Sequence, residues 1–312
     1  MERSWRLKFN NMARNLRWHS LSKEKNSIAR YPVRQRTVST GRRAARQQTG
    51  EAGMKTSALR YAIVIPCYNE EKRLPIGRFM DFARTHPDVL LCFVNDGSRD
   101  QTLSVLMGMM FRQPSNIAVL SLQANAGKAE AVRQGMLYVK DHFPVNSLGF
   151  LDADLATKPE EWYDMACYQQ KHPQFSAITG SRISRLGAAI RRTDNRFFAS
   201  KVLNFFIQRI IGATIRDSQC GAKIFERELI PVLFGETFIS SWLFDIELFL
   251  RIRKHYGKAL LASTVLEFPL LSWSEVGESK LRLSHQLRLP IQLLKIYIRY
   301  RLDKNYRVAP GF

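Results

Sequence analysis

The pattern that most constrains the fold is an alternation of short apolar runs with longer amphipathic ones, extending from residue 61 to residue 181. Short apolar runs are typical of buried strands, and the segments between them have helical length and spacing. Strands that alternate with helices form a mainly parallel sheet with helices on both faces, so we expect an α/β fold. The predicted strands are Tyr61–Pro66, Val89–Asn95, Ile117–Leu122, Leu148–Asp152 and Ala177–Ser181. The predicted helices between them are Glu70–Thr85, Arg99–Phe111, Gly127–Phe143 and Pro159–Lys171.

Beyond residue 182 the alternation stops, and longer apolar segments follow. Two helices are predicted over Asn195–Ile211 and Ser241–Tyr256, and a short strand over Val265–Leu271. The segment Leu281–Arg301 is amphipathic and basic, although Pro290 interrupts it. Such a helix either lies in a membrane interface, with its basic residues on anionic headgroups, or packs as a surface helix on its own domain. The sequence leaves both alternatives open.

The charge of the chain is strongly positive and unevenly distributed. The formal net charge is +21 over 312 residues, and residues 1–53 hold 13 Lys and Arg against three Glu. This composition predicts a disordered basic tail at 1–53, although a mitochondrial presequence has a similar one. We expect the folded domain to cover 54–280 and a C-terminal amphipathic helix and tail to cover 281–312. A basic balance indicates anionic partners, namely nucleic acid, lipid headgroups or phosphorylated ligands.

The cysteines and the apolar runs indicate the cellular compartment in which the protein is expected. Four cysteines (Cys67, Cys92, Cys167 and Cys220) form no CxxC pair, so a reducing, cytoplasmic setting is favoured over a disulfide framework. No run approaches the roughly 20 apolar residues that span a bilayer, so no membrane-spanning segment is expected.

Polar and acidic residues follow three of the predicted strands, and the strand ends of such a sheet line one crevice. Asp152 and Asp154 stand one residue apart after the fourth strand. Because Mg²⁺ binds one or two carboxylates together with phosphate oxygens and water, this pair predicts a metal site for a phosphorylated ligand. The alternative, a solvated pair that caps the next helix, is disfavoured by the matching motifs upstream.

Those upstream motifs predict a nucleotide site. Pro66 and Tyr68 are placed to wall and stack on a base, and Glu70 to accept its hydrogen bonds. Asp96, followed by Gly97-Ser98, predicts an acceptor for a base N–H or a ribose hydroxyl, or a cap of the next helix. Lys128 stands at a predicted helix start, where an anion is favoured.

Several ordered motifs together resemble the family 2 inverting glycosyltransferases of GT-A fold, which have a Rossmann-like sheet flanked by helices. The resemblance covers roughly residues 60–285 and is closest to the polyprenyl-phosphate sugar synthases of the dolichyl-phosphate β-glucosyltransferase type. The motifs are Val64-Ile65-Pro66-x-Tyr68-Asn69-Glu70, Asn95-Asp96-Gly97-Ser98, Asn125-x-Gly127-Lys128, Asp152-x-Asp154, Thr179-Gly180-Ser181-Arg182, Asp217-Ser218-Gln219-Cys220-Gly221-Ala222-Lys223, Trp242-x-Phe244-Asp245-x-Glu247 and Trp273-Ser274-Glu275-Val276-x-Glu278-Ser279-Lys280.

The resemblance implies metal-dependent, inverting transfer of a hexose, glucose from UDP-glucose, onto a polyprenyl (dolichyl-like) phosphate. It implies that Asp152 and Asp154 hold Mg²⁺ or Mn²⁺. In the mannose synthases a glutamine two residues after the second Asp completes the metal site, and here that position is Ala156. The nucleotide-binding residues that it implies are Pro66, Tyr68, Glu70, Asp96, Lys128 and Asp152.

For the acceptor phosphate the resemblance implies Arg182, Arg196 and Ser200. A phosphate monoester is largely dianionic at neutral pH, so no strong general base is required. Asp217, Asp245 and Glu247 are therefore expected to line the site, bind sugar hydroxyls or balance charge. The partners implied are a nucleotide-diphosphate sugar, a polyprenyl phosphate and the cytoplasmic face of a membrane, with no specific nucleic acid.

Other functions remain open from the sequence. A GDP-mannose-dependent synthase has the same motifs, and a transferase with a polysaccharide or protein hydroxyl as acceptor would need Asp245 or Glu247 as base. A nucleic-acid-binding protein is suggested by charge alone, without any RNP, zinc or helix-turn-helix motif. A catalytically silent scaffold is disfavoured by the Asp152 and Asp154 pair.

Overall fold

The apolar runs form strands of two sheets in the computed structural model, which describes residues 58–183, 189–191, 206–212, 215–274 and 283–302. The predicted tail at 1–53 and the acceptor residues Arg196 and Ser200 lie outside these described residues. In chain order the strands are β1 (Tyr61–Cys67), β2 (Val89–Asp96), β3 (Ile117–Leu122), β4 (Ser147–Phe150), β5 (Ala177–Ser181), β6 (Ala189–Arg191), β7 (Lys223–Glu226), β8 (Val265–Pro269) and β9 (Ser272–Ser274).

The larger sheet has seven strands in the order β3-β2-β1-β4-β7-β5-β8, and β6 pairs with β9 in a second, two-stranded sheet. Neighbouring strands are parallel except at β7, which runs antiparallel to both β4 and β5. The expectation of a mainly parallel sheet is confirmed. The short strand β7 was not predicted, and it places residues 217–222 beside the end of β4, because Phe150 pairs with Lys223.

Helices cover both faces of the sheet, as the alternation predicts. They are α1 (Ile76–Thr85), α2 (Thr102–Arg112), α3 (Lys128–His142), α4 (Pro159–Lys171), α5 (Ile230–Phe234), α6 (Phe244–Tyr256), α7 (Leu261–Thr264) and α8 (Leu283–Tyr297). A 3₁₀ turn covers Arg227–Leu229, a π-helical turn over Ile298–Leu302 continues α8, and residues 206–211 are also helical. Among the described residues, no helix combines the length and the apolar character that crossing a bilayer requires.

The first helix begins at Ile76, so the predicted start at Glu70 is wrong. Two backbone N–H groups of the intervening loop donate to side chains at and just before the start of α2: Glu70 N–H to Thr102 Oγ1 (2.8 Å) and Glu71 N–H to Asp100 Oδ2 (3.2 Å). Pro75 then precedes the first helical residue. These contacts hold the segment after β1 as a loop across the end of the sheet.

Strand alternation distributes the core over the two faces of the sheet. Ala62 and Val64 of β1 pack against α3, α5 and α6, whereas Tyr61, Ile63 and Ile65 pack against α1, α2 and α4. Helix α8 adds one of its faces to the first of these cores through Leu293, Ile296 and Tyr300. The sheet is thus covered on both sides, and its polar loops gather at one edge.

Candidate active site

The loops that follow β1, β2 and β4 meet at the carboxyl edge of the sheet, because these strands are parallel neighbours. Two of the loops contain a non-glycine residue in the left-handed region, Asn69 (φ 51°) and Leu155 (φ 55°). Such a conformation costs about 1–3 kcal/mol and is concentrated at functional sites. Asn69 also joins two loops, since its N–H donates to Ser98 Oγ (3.1 Å) and its Oδ1 accepts from Arg99 N–H (2.9 Å).

Asp96, at the end of β2, organises the loop that leads into α3. Its buried carboxylate accepts the N–H groups of Ala126 (2.7 Å) and Gly127 (3.0 Å), and the side-chain amide of Asn125 (3.0 Å). Burial raises the pKa of Asp96 above its ordinary value, although these backbone donors oppose the shift. The described contacts of Asp96 are therefore with the protein, and they fix the position from which Lys128 extends.

Lys128 is the first residue of α3, and its ammonium reaches Asp152 Oδ1 at 2.5 Å. Burial disfavours the charged ammonium, but the charges of Asp152 and Asp245 outweigh it, so the pKa of Lys128 lies above its usual value. The predicted phosphate-binding lysine and the predicted metal-binding aspartate are thus brought together. A cationic group beside two carboxylates gives this edge the mixed charge that a metal–diphosphate ligand requires.

Asp154 faces solvent at the same edge, and its Oδ1 accepts the N–H of Ala156 at 3.0 Å. Desolvation by the surrounding protein, followed by the charge of Asp152, raises the pKa of the Asp154 carboxyl. A carboxylate pair whose charges disfavour each other fits a divalent cation, since binding the cation would relieve that repulsion. The described residues include no group of three His, Cys, Asp or Glu side chains around a common point, so the pair would share a metal with ligand oxygens and water.

The segment 217–223 lies directly beside Asp152, and one of its glycines is required by space. A Cβ at Gly221 would stand 2.1 Å from Asp152 Oδ2, and the three atoms nearest to it would all belong to that one side chain. The backbone of Gly221 therefore fixes one side of the Asp152 carboxylate. This close approach was not predicted, because the strand that creates it, β7, was not recognised in the sequence.

We expect Gly221→Ala to displace the Asp152 carboxylate and to lower kcat by about 10²-fold, the scale of a 1 Å misplacement in an active site. The free energy of unfolding should change little, because the atoms nearest to the added methyl group belong to the movable end of a side chain. Gly77→Ala, at an open position in α1, is the matched control and should retain full activity. Equal kcat values for the two variants would show that Asp152 does not need its present position.

Beneath the crevice, Lys223 of β7 is a fully buried cation. Its ammonium donates to Asp245 Oδ1 (2.6 Å) and to the carbonyl oxygens of Ser218 (3.0 Å) and Cys220 (2.7 Å). It also lies 5.6 Å from the ring centroid of Phe150. Asp245 is thus held at the start of α6 and connected to the loop that touches Asp152. Sequence reasoning gave Lys223 no role, although a lysine that opens an apolar strand indicates a buried partner.

The predicted acceptor residue Arg182 forms a bidentate pair with Asp217 at the end of β5. The Nε and Nη2 atoms of Arg182 donate to the Asp217 carboxylate at 2.8 and 2.7 Å, and its backbone N–H donates at 2.7 Å. The guanidinium carbon lies 5.2 Å from the ring centroid of Trp273. In the same loop, Ser218 Oγ and Gln219 Nε2 are buried and make no hydrogen bond within the part of the chain that the structure describes.

Glu247 does not lie in the crevice, although the sequence grouped it with Asp245. Its carboxylate is buried and accepts the N–H groups of Ile239 (2.9 Å) and Ser240 (3.0 Å) and the hydroxyl of Tyr300 (2.9 Å). Arg251 lies 3.8 Å away. Glu247 thus connects α6 to a loop and to the turn after α8.

Burial raises the pKa of Glu247, and this predicts a pH-dependent contribution to stability. Since the folded state binds the proton more tightly, the contribution of Glu247 is greatest below the ordinary glutamate pKa of about 4.3 and declines as pH rises through the raised folded value. The difference in unfolding free energy between the wild type and Glu247→Gln should therefore fall as pH rises. Urea titrations at a series of pH values measure it; a difference independent of pH would contradict the assignment.

The remaining predicted nucleotide residues follow β1. Pro66 and Tyr68 are partly exposed at the mouth of the crevice, and Glu70 is buried with its Oε1 3.1 Å from an Arg73 guanidinium nitrogen. The predicted donor and metal residues lie on this edge in loops, at strand ends or at the start of α3: Pro66, Tyr68, Glu70, Asp96, Lys128, Asp152 and Asp154. Asp217, Asp245 and Arg182 border it through β5, β7 and α6.

Comparison with known proteins agrees with this arrangement. Residues 62–234 match the model of the family described as glycosyl transferase family 2. A dolichyl-phosphate β-glucosyltransferase of Drosophila melanogaster is 30% identical over 271 residues, which cover 81% of this chain and 78% of that protein. The Homo sapiens dolichyl-phosphate β-glucosyltransferase is 31% identical over 256 residues, which cover 77% and 75% of the two chains.

Solved structures with similar folds have lower identity. A glucosyl-3-phosphoglycerate synthase of Mycobacterium tuberculosis in complex with UDP has a TM-score of 0.54 at 16% identity and covers 77% of this chain and 80% of its own. The mannosyltransferase PcManGT of Pyrobaculum calidifontis, in complex with GDP-Man and Mn²⁺, has a TM-score of 0.53 at 16% identity and covers 78% and 65%. These similarities concern the fold.

Proposed function

This chain belongs to glycosyl transferase family 2, and from that membership we propose that it transfers a hexose from a nucleotide-diphosphate sugar to a polyprenyl phosphate. The observation that carries the proposal is the convergence of Lys128, Asp152 and Asp154 at the carboxyl edge of the sheet. The acceptor class is supported by relatives of about 30% identity that are dolichyl-phosphate β-glucosyltransferases. On the same ground we propose glucose from UDP-glucose as the donor, with GDP-mannose as the alternative.

On the donor side, we assign the base to the loop after β1, with Tyr68 stacking and Pro66 and Glu70 bordering it. Asp96 acts on the same ligand by holding Ala126 and Gly127, so that Lys128 is directed at the diphosphate. Asp152 and Asp154 would hold Mg²⁺ or Mn²⁺, since one or two carboxylates with phosphate oxygens and water suit these ions. When bound, the ion offsets the charge that appears on the leaving nucleoside diphosphate.

On the acceptor side, we propose that the Arg182–Asp217 pair, with Arg196 and Ser200, receives the lipid phosphate. A bidentate ion pair fixes the orientation of the Arg182 guanidinium, and the face of Trp273 supports it. Because the acceptor is a dianion at neutral pH, the protein needs to position it and balance its charge rather than remove a proton. We therefore do not assign Asp245 as a general base; its carboxylate already accepts a hydrogen bond from Lys223. A single in-line displacement inverts the anomeric carbon.

The test is product formation from UDP-glucose, UDP-galactose and GDP-mannose with a short-chain polyprenyl phosphate in detergent, with Mg²⁺ or Mn²⁺ present. We expect lipid-extractable β-glucoside from UDP-glucose alone, and its loss on chelation of the metal. The anomeric configuration follows from the proton coupling constant of the purified product. Product from GDP-mannose only would contradict UDP-glucose as the donor. An α-linked product would contradict the inverting mechanism.

The acceptor class also suggests where the protein works. Polyprenyl phosphates reside in bilayers, so we propose that the protein meets its acceptor at a membrane surface, on the cytoplasmic side. The positive charge of the chain supports contact with anionic headgroups.

A further inference from the structure

Helix α8 has one face in the core and an opposite face that is both apolar and exposed. Leu293, Ile296 and Tyr300 are buried, whereas Ile291, Leu294 and Ile298 have 58, 57 and 48% of their surface exposed. The spacing of three and four residues places the exposed set along one stripe. Contiguous exposed apolar residues of this size indicate a surface that another phase or molecule covers.

The charges around this stripe select an anionic partner. Lys295 and Arg299 are exposed on the same side of the helix, and no acidic residue occurs in the sequence between Glu278 and Asp303. Glu236 of the neighbouring loop lines the same surface cavity as Arg299, but the helix itself has apolar residues on its outer face and basic residues beside them, which suits the boundary between headgroups and acyl chains. Tyr297, partly exposed on the same helix, has the amphipathic ring that favours this depth.

The inner face of α8 is hydrogen-bonded to the part of the fold that borders the active site. Ser240 Oγ lies 2.6 Å from Gln292 Oε1, and it also accepts the N–H of Leu243 (2.9 Å) just before α6 begins. Tyr300 is bonded to Glu247 in α6. The first turn of α6 contains Asp245, so the exposed stripe has a fixed position relative to the crevice.

We propose that this exposed face of α8, comprising Ile291, Leu294, Ile298, Lys295 and Arg299, docks the protein on an anionic lipid surface. Its apolar residues enter the acyl boundary while the two cations pair with headgroups, and the hydrogen bonds of Gln292 and Tyr300 hold the crevice at a constant distance from the bilayer. The lipid that this face contacts is bulk membrane lipid and not the acceptor. The docking rests on the proposed function only in its purpose, which is to bring the crevice to a lipid acceptor.

The test is flotation of the full chain with vesicles of phosphatidylcholine, with and without phosphatidylserine, none of which contain polyprenyl phosphate. We expect binding to the anionic vesicles and its loss in Ile291→Ser/Leu294→Ser/Ile298→Ser. Lys295→Gln and Arg299→Gln should each weaken binding by about five-fold, the factor for one basic residue near an anionic surface. Phe111→Ser, which removes an equally exposed apolar residue from α2, is the control and should bind as the wild type.

The basic residues of 1–53 also attract anionic lipid, so the comparison is made again at high salt, which screens such charges and leaves apolar insertion. A triple variant that floats as well as the wild type at high salt overturns the proposal, and so does a wild type that stays with the soluble fraction. Activity of the triple variant on short-chain acceptor in detergent should be unchanged. Failure of the wild type to form product, with flotation intact, would count against the proposed function and leave docking in place.

A second readout does not depend on how the triple variant folds. Leu294→Cys is labelled with a polarity-sensitive dye in a Cys167→Ser background, because the other three cysteines are buried. We expect a blue shift on anionic vesicles at Leu294→Cys and none at Phe111→Cys. Equal spectra at the two positions would overturn the proposal, because the exposed face of α8 would then be no closer to the lipid than α2 is.

Discussion

Asp154→Asn is expected to lower kcat by about 10²–10³-fold, the scale at which loss of one electrostatic stabiliser of a transition state is measured. The substitution keeps the shape of the side chain and removes one of the two negative charges that we assign to the metal. Mn²⁺ affinity in the presence of nucleoside diphosphate should fall in parallel. Steady-state kinetics and metal titration measure the two effects.

The same substitution should leave stability unchanged or slightly increased. The raised pKa of Asp154 means that its ionised form is disfavoured in the folded state, and the neutral amide removes that cost. A loss of activity without a loss of stability distinguishes a metal-binding carboxylate from a structural one. Asp164→Asn, at an exposed position of α4, is the matched control; if both variants retain wild-type kcat, the metal assignment is contradicted.

Lys223→Met is expected to lower the free energy of unfolding by about 3–5 kcal/mol, because it leaves the buried Asp245 carboxylate without its hydrogen-bonded cation. The side chains of Lys223 and Asp245 are only 1% and 8% exposed. Two carbonyl oxygens, those of Ser218 and Cys220, lose their buried donor as well. Urea unfolding monitored by circular dichroism measures the effect.

Lys223→Met/Asp245→Asn should recover part of that loss, since the double variant removes the unpaired charge. Lys258→Met, at an exposed turn, should change the unfolding free energy by less than about 0.5 kcal/mol. A Lys223→Met protein as stable as the Lys258→Met control would mean that Asp245 is protonated or hydrated in the folded state. That result would also remove the connection between α6 and the loop beside Asp152.

Strands β1 and β2 could be predicted from the sequence because each is a mainly apolar run followed by polar residues. Strand β7 could not, since it has four residues and begins with a lysine. A charged residue enters a strand of this kind only when partners satisfy it, and those partners come from elsewhere in the chain. The contact of Gly221 with Asp152 follows from that strand and was therefore also missed.

Helical geometry explains why the side chains of Asp245 and Glu247 have different surroundings, although both belong to one sequence motif. Residues two apart on a helix point to different sides, so only one of them faces the crevice. Both residues fall in the predicted helix Ser241–Tyr256, so their spacing of two could have indicated that they face different sides. Asp96 is different, because its hydrogen bonds reach Ala126 and Gly127, thirty residues away in the chain, and no local pattern shows them.

The identity of the acceptor tests the central claim most directly. With one donor and one metal, the protein is offered a short-chain polyprenyl phosphate, the corresponding polyprenol, and 3-phosphoglycerate. The account predicts that only the polyprenyl phosphate gives a glycosylated product, because the polyprenol lacks the deprotonated phosphate and 3-phosphoglycerate lacks the prenyl chain. Transfer to the polyprenol at a comparable rate, or to 3-phosphoglycerate alone, would contradict it.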